Sequence, residues 1–263
     1  DKLFHRSKKY HNTQNYIDAF RFIIKTKNLA PFNAWLVREQ NPDVTYVATA
    51  EEWLNRFNRE IKTHARAYVI LKPFSPVEFV YDMNDTDGDE LPQDLQSNFR
   101  AEGILKSKYV DYAINCCNKK GIKIDFNDLL TNRQAGWASH DKLNKLQTIV
   151  INKSHSKEVQ FSTLCHEIAH LLLGHLGKFT HCECNSRCHL STNAMEIEAE
   201  SVSWLVCDRL GIKTDAERYL NYHFKSSQNI LNQISIDNIL TTAGKIENMI
   251  LSKACKRDKE KKG

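Results

Sequence analysis

The stretch CHEIAH, residues 165–170, decides how the rest of this chain is interpreted. It holds the pattern H-E-x-x-H inside a run whose apolar residues recur at helical spacing, with Ser162 in front of it as the predicted N-cap. Four residues at about 100° each bring His170 back to the face of His166, so both imidazoles can bind one metal ion while Glu167 projects beside them. The pattern therefore predicts a catalytic zinc site, with Glu167 as the general base that takes a proton from water.

A second, acid-rich helix downstream is predicted to supply the third metal ligand. The stretch MEIEAE, residues 195–200, begins an apolar helical run. Glu196 and Glu200 are four residues apart, so one can bind the metal while the other hydrogen-bonds a ligand histidine. This spacing resembles the E-x-x-x-D/E arrangement of gluzincins, which implies Glu196 as the ligand and Glu200 as its support. Gluzincins also stabilise the oxyanion with a Tyr or His from a later segment, which implies catalytic roles for Tyr219 and His223.

Two further polar residues near these helices are expected to lie off the metal face. Glu198 falls between the two acids that share a face, and His175 is five residues beyond His170. We expect a structural or cleft role for His175 and no metal contact from Glu198.

The composition is that of an ordinary soluble globular protein. The chain has 263 residues, of which 41% are hydrophobic and 26% charged. No apolar run approaches the ~18 residues that a membrane span needs, and no signal peptide is recognisable, so we expect a cytoplasmic protein. In that setting the eight cysteines favour metal binding or redox sensing over disulfide bonds.

The stretch HCECNSRCH, residues 181–189, concentrates potential metal ligands. One interpretation is a structural zinc, additional to the catalytic one, held by Cys182, Cys184, Cys188 and His189. A second is an inhibitory thiolate on the open position of the catalytic zinc, from this stretch or from Cys116 or Cys117. A third is an exposed loop with free thiols, and the sequence leaves all three open.

The N-terminal part of the chain is predicted to form a small α+β unit. Apolar spacing predicts helices around residues 16–24 and after Pro31, and Thr49 with Glu52 forms a capping box for a third helix. Strand-like runs follow at 67–71 and 77–81. The acidic stretch 82–90 is interpreted as a β-turn, because a calcium loop aligned on its glycine would place a methionine at the first ligand position.

Parts of this unit resemble the N-terminal domain of ArdC-type antirestriction proteins. The matching strings are WLNR at 53–56, AYVILKP at 67–73 and FVYDMNDTDG at 79–88. In that family the domain is implicated in binding single-stranded DNA. The resemblance therefore implies nucleic-acid contacts from a basic segment near aromatic residues, formed by Arg56, Arg59, Lys62 and Arg66.

The C-terminal part resembles the ImmA/IrrE metallopeptidases over about residues 110–225. The resemblance lies in a strand at 147–152, a short loop, the stretch TLCHEIAH at 163–170 and the acid-rich helix after it. In that family an edge strand runs along the active-site cleft before the motif helix, so we expect 147–152 to pair with an extended substrate peptide. The resemblance implies a zinc metallo-endopeptidase that cleaves a helix-turn-helix repressor or another regulatory protein in stress response, mobile-element control or phage defence.

The alternative is a single-stranded-DNA-binding antirestriction protein whose zinc domain is structural. Both interpretations share one expected architecture, an α+β fold in which a small α+β domain precedes a zincin-like metallopeptidase domain. We expect a disordered head at 1–12, an ArdC-like domain at 13–95, a zincin-like domain at 96–225, closing helices at 226–252 and a basic disordered tail at 253–263.

Overall fold

The computed structural model of the chain describes residues 13–72, 75–91, 105–128, 135–141, 143, 146–178, 184–226 and 230–251. The predicted head and tail lie outside these residues, as does Cys182. The chain divides into two compact units, an N-terminal unit of Ile17–Ala101 and a C-terminal unit of Asp1–Tyr16 with Glu102–Gly263. Each unit combines helices with small sheets, which confirms the expected α+β class.

Helices and short strands alternate in the first 90 residues. In chain order the elements are α1 Thr13–Lys25, α2 Pro31–Gln40, β1 Val47–Ala48, α3 Ala50–Phe57, β2 Arg59–Ile61, β3 Tyr68–Lys72, β4 Ser75–Asp82 and β5 Thr86–Gly88. The predicted capping box is present at α3, where Thr49 Oγ1 accepts from the Glu52 N–H at 3.1 Å and the Glu52 carboxylate accepts from the Thr49 N–H at 3.0 Å. The three predicted helices and both strands are confirmed.

Antiparallel pairing organises the N-terminal unit. Strand β4 lies between β1 and β3, and β2 pairs with β5. One hydrophobic cluster of this unit consists of buried side chains from α2, β1, β3, β4 and a connecting loop, namely Val37, Val44, Val47, Tyr68, Ile70 and Val80. The acidic stretch after β4 is held by Asp82, whose carboxylate accepts from the backbone N–H groups of Thr45 at 3.0 Å and Tyr46 at 3.1 Å. Asp82 therefore stabilises this turn through hydrogen bonds to the backbone.

The C-terminal unit carries the H-E-x-x-H stretch. Its elements after residue 104 are α4 Ser107–Lys119, β6 Ile122–Asn127, β7 Gly136–Asp141, β8 Leu146–Asn152, α5 Lys157–Leu172, α6 Thr192–Arg209, α7 Ala216–Ser226 and α8 Ile236–Leu251. Within the stretch 226–252, where closing helices were predicted, Ile236–Leu251 is α-helical, whereas Ile230–Asn232 forms a short 3-10 turn. None of the helices within the described ranges is long and apolar enough to cross a membrane.

The sheet of the C-terminal unit differs from the expectation in one respect that matters for function. Its strand order is β6-β8-β7, with β6 parallel and β7 antiparallel to β8. Strand β8 is therefore central, and the expectation that residues 147–152 form an edge strand open to substrate is wrong. The strand beyond it, β7, reads GWASHD and has no apolar run, so periodicity did not reveal it.

Helix α5, which carries the motif, begins earlier than expected. Ser156 is its N-cap and accepts from the Val159 N–H at 3.4 Å, whereas Ser162 lies inside the helix and donates its hydroxyl to Val159 O at 3.1 Å. The predicted N-cap at Ser162 is therefore wrong, because the polar first turn gave no apolar signal. Helix α5 packs on α6, where Ser203 Oγ donates to Ser162 O at 3.0 Å. These two helices build the site.

Candidate metal centre

Three side chains on α5 and α6 bring their ligand atoms together. His166 Nε2 and His170 Nε2 lie 3.1 Å apart. The Glu196 carboxylate approaches both, at 3.3 Å from His166 Nε2 and 3.5 Å from His170 Nε2. Tetrahedral zinc with bonds of ~2.0–2.1 Å separates its ligand atoms by roughly 3.2–3.5 Å, so this donor set fits the ion.

Glu200 lies behind His166 on the side away from the other two ligands. Its carboxylate accepts from His166 Nδ1 at 3.0 Å. When the Nδ1 hydrogen of a neutral imidazole is directed at a carboxylate, the lone pair remains on Nε2 and faces the metal. Glu200 is thus placed where the sequence predicted a supporting residue.

The electrostatics of the cluster favour a cation between the ligands. Burial lowers the pKa of His166, but hydrogen bonds with Glu196 and Glu200 outweigh it and raise that pKa to about 10. Hydrogen bonds from His166 and His170 hold the pKa of Glu196 well below its usual value. Two imidazoles and a carboxylate that converge in this way attract positive charge, from a proton or from a metal ion.

Glu167 lies beside the ligands and is largely buried, with 8% of its surface exposed. The backbone N–H of Ala138 in β7 hydrogen-bonds its carboxylate. Burial raises the pKa of Glu167, and the nearby His166 and His170 oppose that shift without cancelling it. Because β7 is the last strand in the described part of this sheet, the strand that reaches Glu167 is also the one with an outer edge.

Tyr219 and His223 lie on α7, and the structure treats them differently. Burial, followed by the charges of Glu196 and Glu200, raises the pKa of Tyr219. The His223 ring packs against Tyr219, with centroids 4.2 Å apart, and its Nδ1 lies 2.6 Å from Asn193 Oδ1. Tyr219 is the more exposed of the two, and a catalytic role for either residue stays a prediction.

Comparison with known proteins agrees with this geometry. Residues 117–232 match the family model of the IrrE N-terminal-like domain, Peptidase_M78. This region is similar to the IrrE N-terminal-like domain. The predicted relation to ImmA/IrrE metallopeptidases is confirmed, and the match includes all three converging ligands and Glu167.

Solved structures of one other protein were also found. The antirestriction protein ArdC from the R388 plasmid is 14% identical in its metal-free structure, with a TM-score of 0.38, and 16% identical in its Mn(II)-bound structure, with a TM-score of 0.40. Each alignment covers 84% of this chain and 82% of ArdC. No curated protein matches the chain significantly.

A polar network behind the ligands of the IrrE-like domain was missed by sequence reasoning. His175 Nδ1 lies 3.0 Å from His170 Nδ1, and its Nε2 lies 2.9 Å from the Glu198 carboxylate. His175, which the sequence placed off the metal face in a structural or cleft role, thus contacts the ring of the candidate ligand His170. A helical wheel hides this contact because the chain leaves α5 after Leu172 and turns at Gly174, where φ is +75°.

The cysteine-rich stretch is only partly described. Cys188 is exposed with its Sγ 3.2 Å from Ser186 Oγ, and Cys184 Sγ lies 3.8 Å from Leu171 O. Within the described residues, the one group of three side chains close enough to hold a metal is His166, His170 and Glu196. The second zinc stays a prediction, because one of its proposed ligands, Cys182, lies outside the residues that the structure describes.

Two other cysteines do not match the predicted thiolate switch. Cys116 is disulfide-bonded, contrary to the expectation that the cysteines serve metal binding or redox sensing. Cys117 is fully buried, and burial raises the pKa of its thiol to about 12. Neither residue therefore offers a free thiolate to the metal centre.

The predicted nucleic-acid-binding residues are engaged within the N-terminal unit. Arg59 donates to Thr86 Oγ1 at 2.8 Å and to Thr86 O at 2.7 Å, which braces the β2–β5 pair. Lys62 Nζ donates to Asn84 O at 2.9 Å. The guanidinium groups of the other two lie over aromatic rings, Arg56 at 5.0 Å from the Phe57 centroid and Arg66 at 5.6 Å from the Tyr68 centroid.

Proposed function

We propose that this protein is a zinc-dependent metallo-endopeptidase of the ImmA/IrrE type. The observation that carries the proposal is the convergence of His166, His170 and Glu196 with Glu167 directly beside them. Two imidazoles and one carboxylate are a ligand set of catalytic zinc, which keeps its fourth position for water. We assign His166, His170 and Glu196 as the ligands and Glu200 as the residue that orients His166.

The metal would polarise the scissile carbonyl and lower the pKa of a bound water. Glu167 then accepts the proton of the attacking water and delivers it to the departing amine. Its burial favours this exchange, because a raised pKa brings the carboxylate closer to the acidity of the groups with which it trades a proton. The Tyr219 phenol donates a hydrogen bond to the oxyanion that develops on the carbonyl.

We propose that the substrate is a protein segment in extended conformation, bound along β7. In the described part of the sheet this strand pairs with β8 alone, so its other edge can pair with a peptide backbone. Ala138 on this strand bonds Glu167, and a paired peptide would thus run past the general base. On the family resemblance we propose a regulatory protein as substrate, such as a helix-turn-helix repressor in stress response, mobile-element control or phage defence.

The test uses the zinc-loaded protein and a peptide library made from a digested proteome, with cleavage read by mass spectrometry. We expect the wild type to cut extended peptides. Glu167→Gln should keep its zinc and cleave about 10²–10⁴-fold more slowly, because the general base is lost. His166→Ala should lose both zinc and cleavage. A zinc-loaded Glu167→Gln variant that cleaves peptides at the wild-type rate would refute the proposed peptidase function.

The alternative, single-stranded DNA binding with a structural zinc site, is favoured by the two arginines that lie over aromatic rings. Both arginines are exposed, and arginine side chains can contact the backbone and the bases of single-stranded nucleic acid. An Arg56→Ala/Arg66→Ala variant should then bind a labelled oligonucleotide several-fold more weakly, with the weakening reduced at high salt. Equal binding by wild type and variant would remove this alternative while leaving the peptidase untouched.

A further inference from the structure

A continuous chain of buried polar groups runs from the ligand His170 into the interior of the C-terminal unit. The far nitrogen of His170, Nδ1, lies 3.0 Å from His175 Nδ1. On the other side of that ring, His175 Nε2 lies 2.9 Å from Glu198 Oε2. Arg187 closes the chain with a two-point contact, Nη1 to Oε2 and Nη2 to Oε1 of Glu198, each at 2.6 Å. The His175 and Glu198 side chains are completely buried.

The positions of the hydrogens in this chain of polar groups can be deduced by starting from Glu198. The Glu198 carboxylate is held by donors from three residues, namely His175, both Arg187 nitrogens and the Ser235 N–H at 2.6 Å, so it acts as an acceptor throughout. His175 must then carry its hydrogen on Nε2, where it meets Glu198, and its Nδ1 is left as an acceptor. His170 consequently donates from Nδ1 and keeps the lone pair on Nε2, the atom that faces His166 and Glu196.

We propose that His175, Glu198 and Arg187 are positioning residues that fix the tautomer and orientation of His170 for metal binding. The proposal rests on the metal site proposed above. It gives His170 the kind of support that Glu200 gives His166, but through an intervening histidine. A ligand imidazole held in its binding tautomer need not reorganise when the metal arrives, which raises affinity.

The position of Arg187 makes the network rigid. Its backbone N–H donates to Gly174 O at 2.8 Å, and a Cβ on Gly174 would collide with Asn185 O, so the loop after residue 183 lies tightly on the turn that follows α5. His175 itself donates its backbone N–H to His170 O at 3.1 Å. The side chains thus meet in one arrangement set by the backbone, as a positioning role requires.

Three variants separate positioning from general stability. His175→Phe fills the space but removes both hydrogen bonds. His175→Gln restores them in principle, since one amide offers an oxygen to His170 and an N–H to Glu198. The matched control is Glu247→Gln, which disturbs another buried ion pair, with Arg209 Nε 2.5 Å from Glu247 Oε1, that involves neither the ligands nor the network.

The readout is zinc affinity, measured by competition with a chromophoric chelator on protein whose fold has been checked by circular dichroism. We expect His175→Phe to bind zinc about 10–100-fold more weakly than the wild type. His175→Gln should recover most of that loss, and Glu247→Gln should bind within about twofold of the wild type. A folded His175→Phe variant with wild-type zinc affinity overturns the proposal. A loss of zinc affinity in Glu247→Gln equal to that in His175→Phe overturns it as well.

A second measurement needs no variant. Long-range proton–nitrogen NMR of the imidazoles in wild-type protein should show His175 protonated at Nε2 and unprotonated at Nδ1. A proton on His175 Nδ1 contradicts the network even if every variant fails to fold. The two proposals also fail separately: a wild type that binds no zinc removes the proposed enzyme, whereas a zinc-binding wild type with an indifferent His175 removes only the positioning role.

Discussion

At the scale of single residues, Glu196 and Glu200 look alike in sequence but occupy different positions. Glu196 faces both Nε2 atoms, and Glu200 faces only the Nδ1 of His166. We therefore predict that Glu196→Gln abolishes stable zinc binding, because a neutral amide is a poor metal ligand. Glu200→Gln should weaken it by less, since its amide oxygen can still accept from His166. Zinc retained after dialysis, measured by mass spectrometry, checks the order. The reverse order would exchange the two assigned roles.

The cysteines provide a second residue-scale prediction. Burial raises the pKa of the Cys117 thiol to about 12, so at pH 8 only about one molecule in 10⁴ carries the reactive thiolate there. Cys188 is exposed. Iodoacetamide at pH 8 should therefore label Cys188 within minutes and Cys117 only after denaturation. Peptide mapping by mass spectrometry distinguishes the sites, and early labelling of Cys117 in folded protein would contradict its burial.

At the scale of elements, the approach of β7 to α5 depends on the lack of a side chain at Gly136. A Cβ at this position would lie 2.6 Å from Val150 O and 2.8 Å from Thr163 Cγ2, closer than atoms can approach. We predict that Gly136→Ala lowers the free energy of unfolding by about 1–3 kcal/mol, because the strand must move away from the helix. Urea denaturation measures the change. Ser139→Ala, at an exposed position of the same strand, is the control and should change stability by less than about 0.5 kcal/mol.

The elements also show where sequence reasoning succeeds. Helices α1, α3, α5 and α6 were predictable because apolar spacing, caps or a motif mark each of them locally. Strand β7 was not, since its sequence has no apolar alternation. A prediction that lacks β7 mistakes β8 for an edge strand, because the hydrophobic pattern of β8 does not reveal how many strands pair with it. The contact between His175 and His170 was not predicted for a similar reason, because it is made across a turn, where helical periodicity no longer applies.

At the scale of the whole molecule, the metal site lies entirely within one of the two compact units. Its ligands come from α5 and α6, both in the part that follows Glu102. Zinc at 100 times its dissociation constant stabilises the state that binds it by about 2.7 kcal/mol. We predict that removal of zinc with a chelator increases hydrogen exchange in α5 and α6 and leaves α3 unchanged. Hydrogen-exchange mass spectrometry tests this, and His166→Ala should show no response to zinc. Equal effects in α3 would mean that the units do not respond independently.

The ligand set of two imidazoles and one carboxylate also bears on how the protein should be purified. Such a set binds divalent transition metals in the general order Mn²⁺ < Co²⁺ < Ni²⁺ < Cu²⁺, with Zn²⁺ below copper, so it takes up whichever competitive ion is most abundant around it. Nickel leached from an affinity column would occupy the same three donors. The ion found in a preparation then reflects the chromatography and not the cell. A tag-free route with defined trace metals makes the metal content a property of the protein.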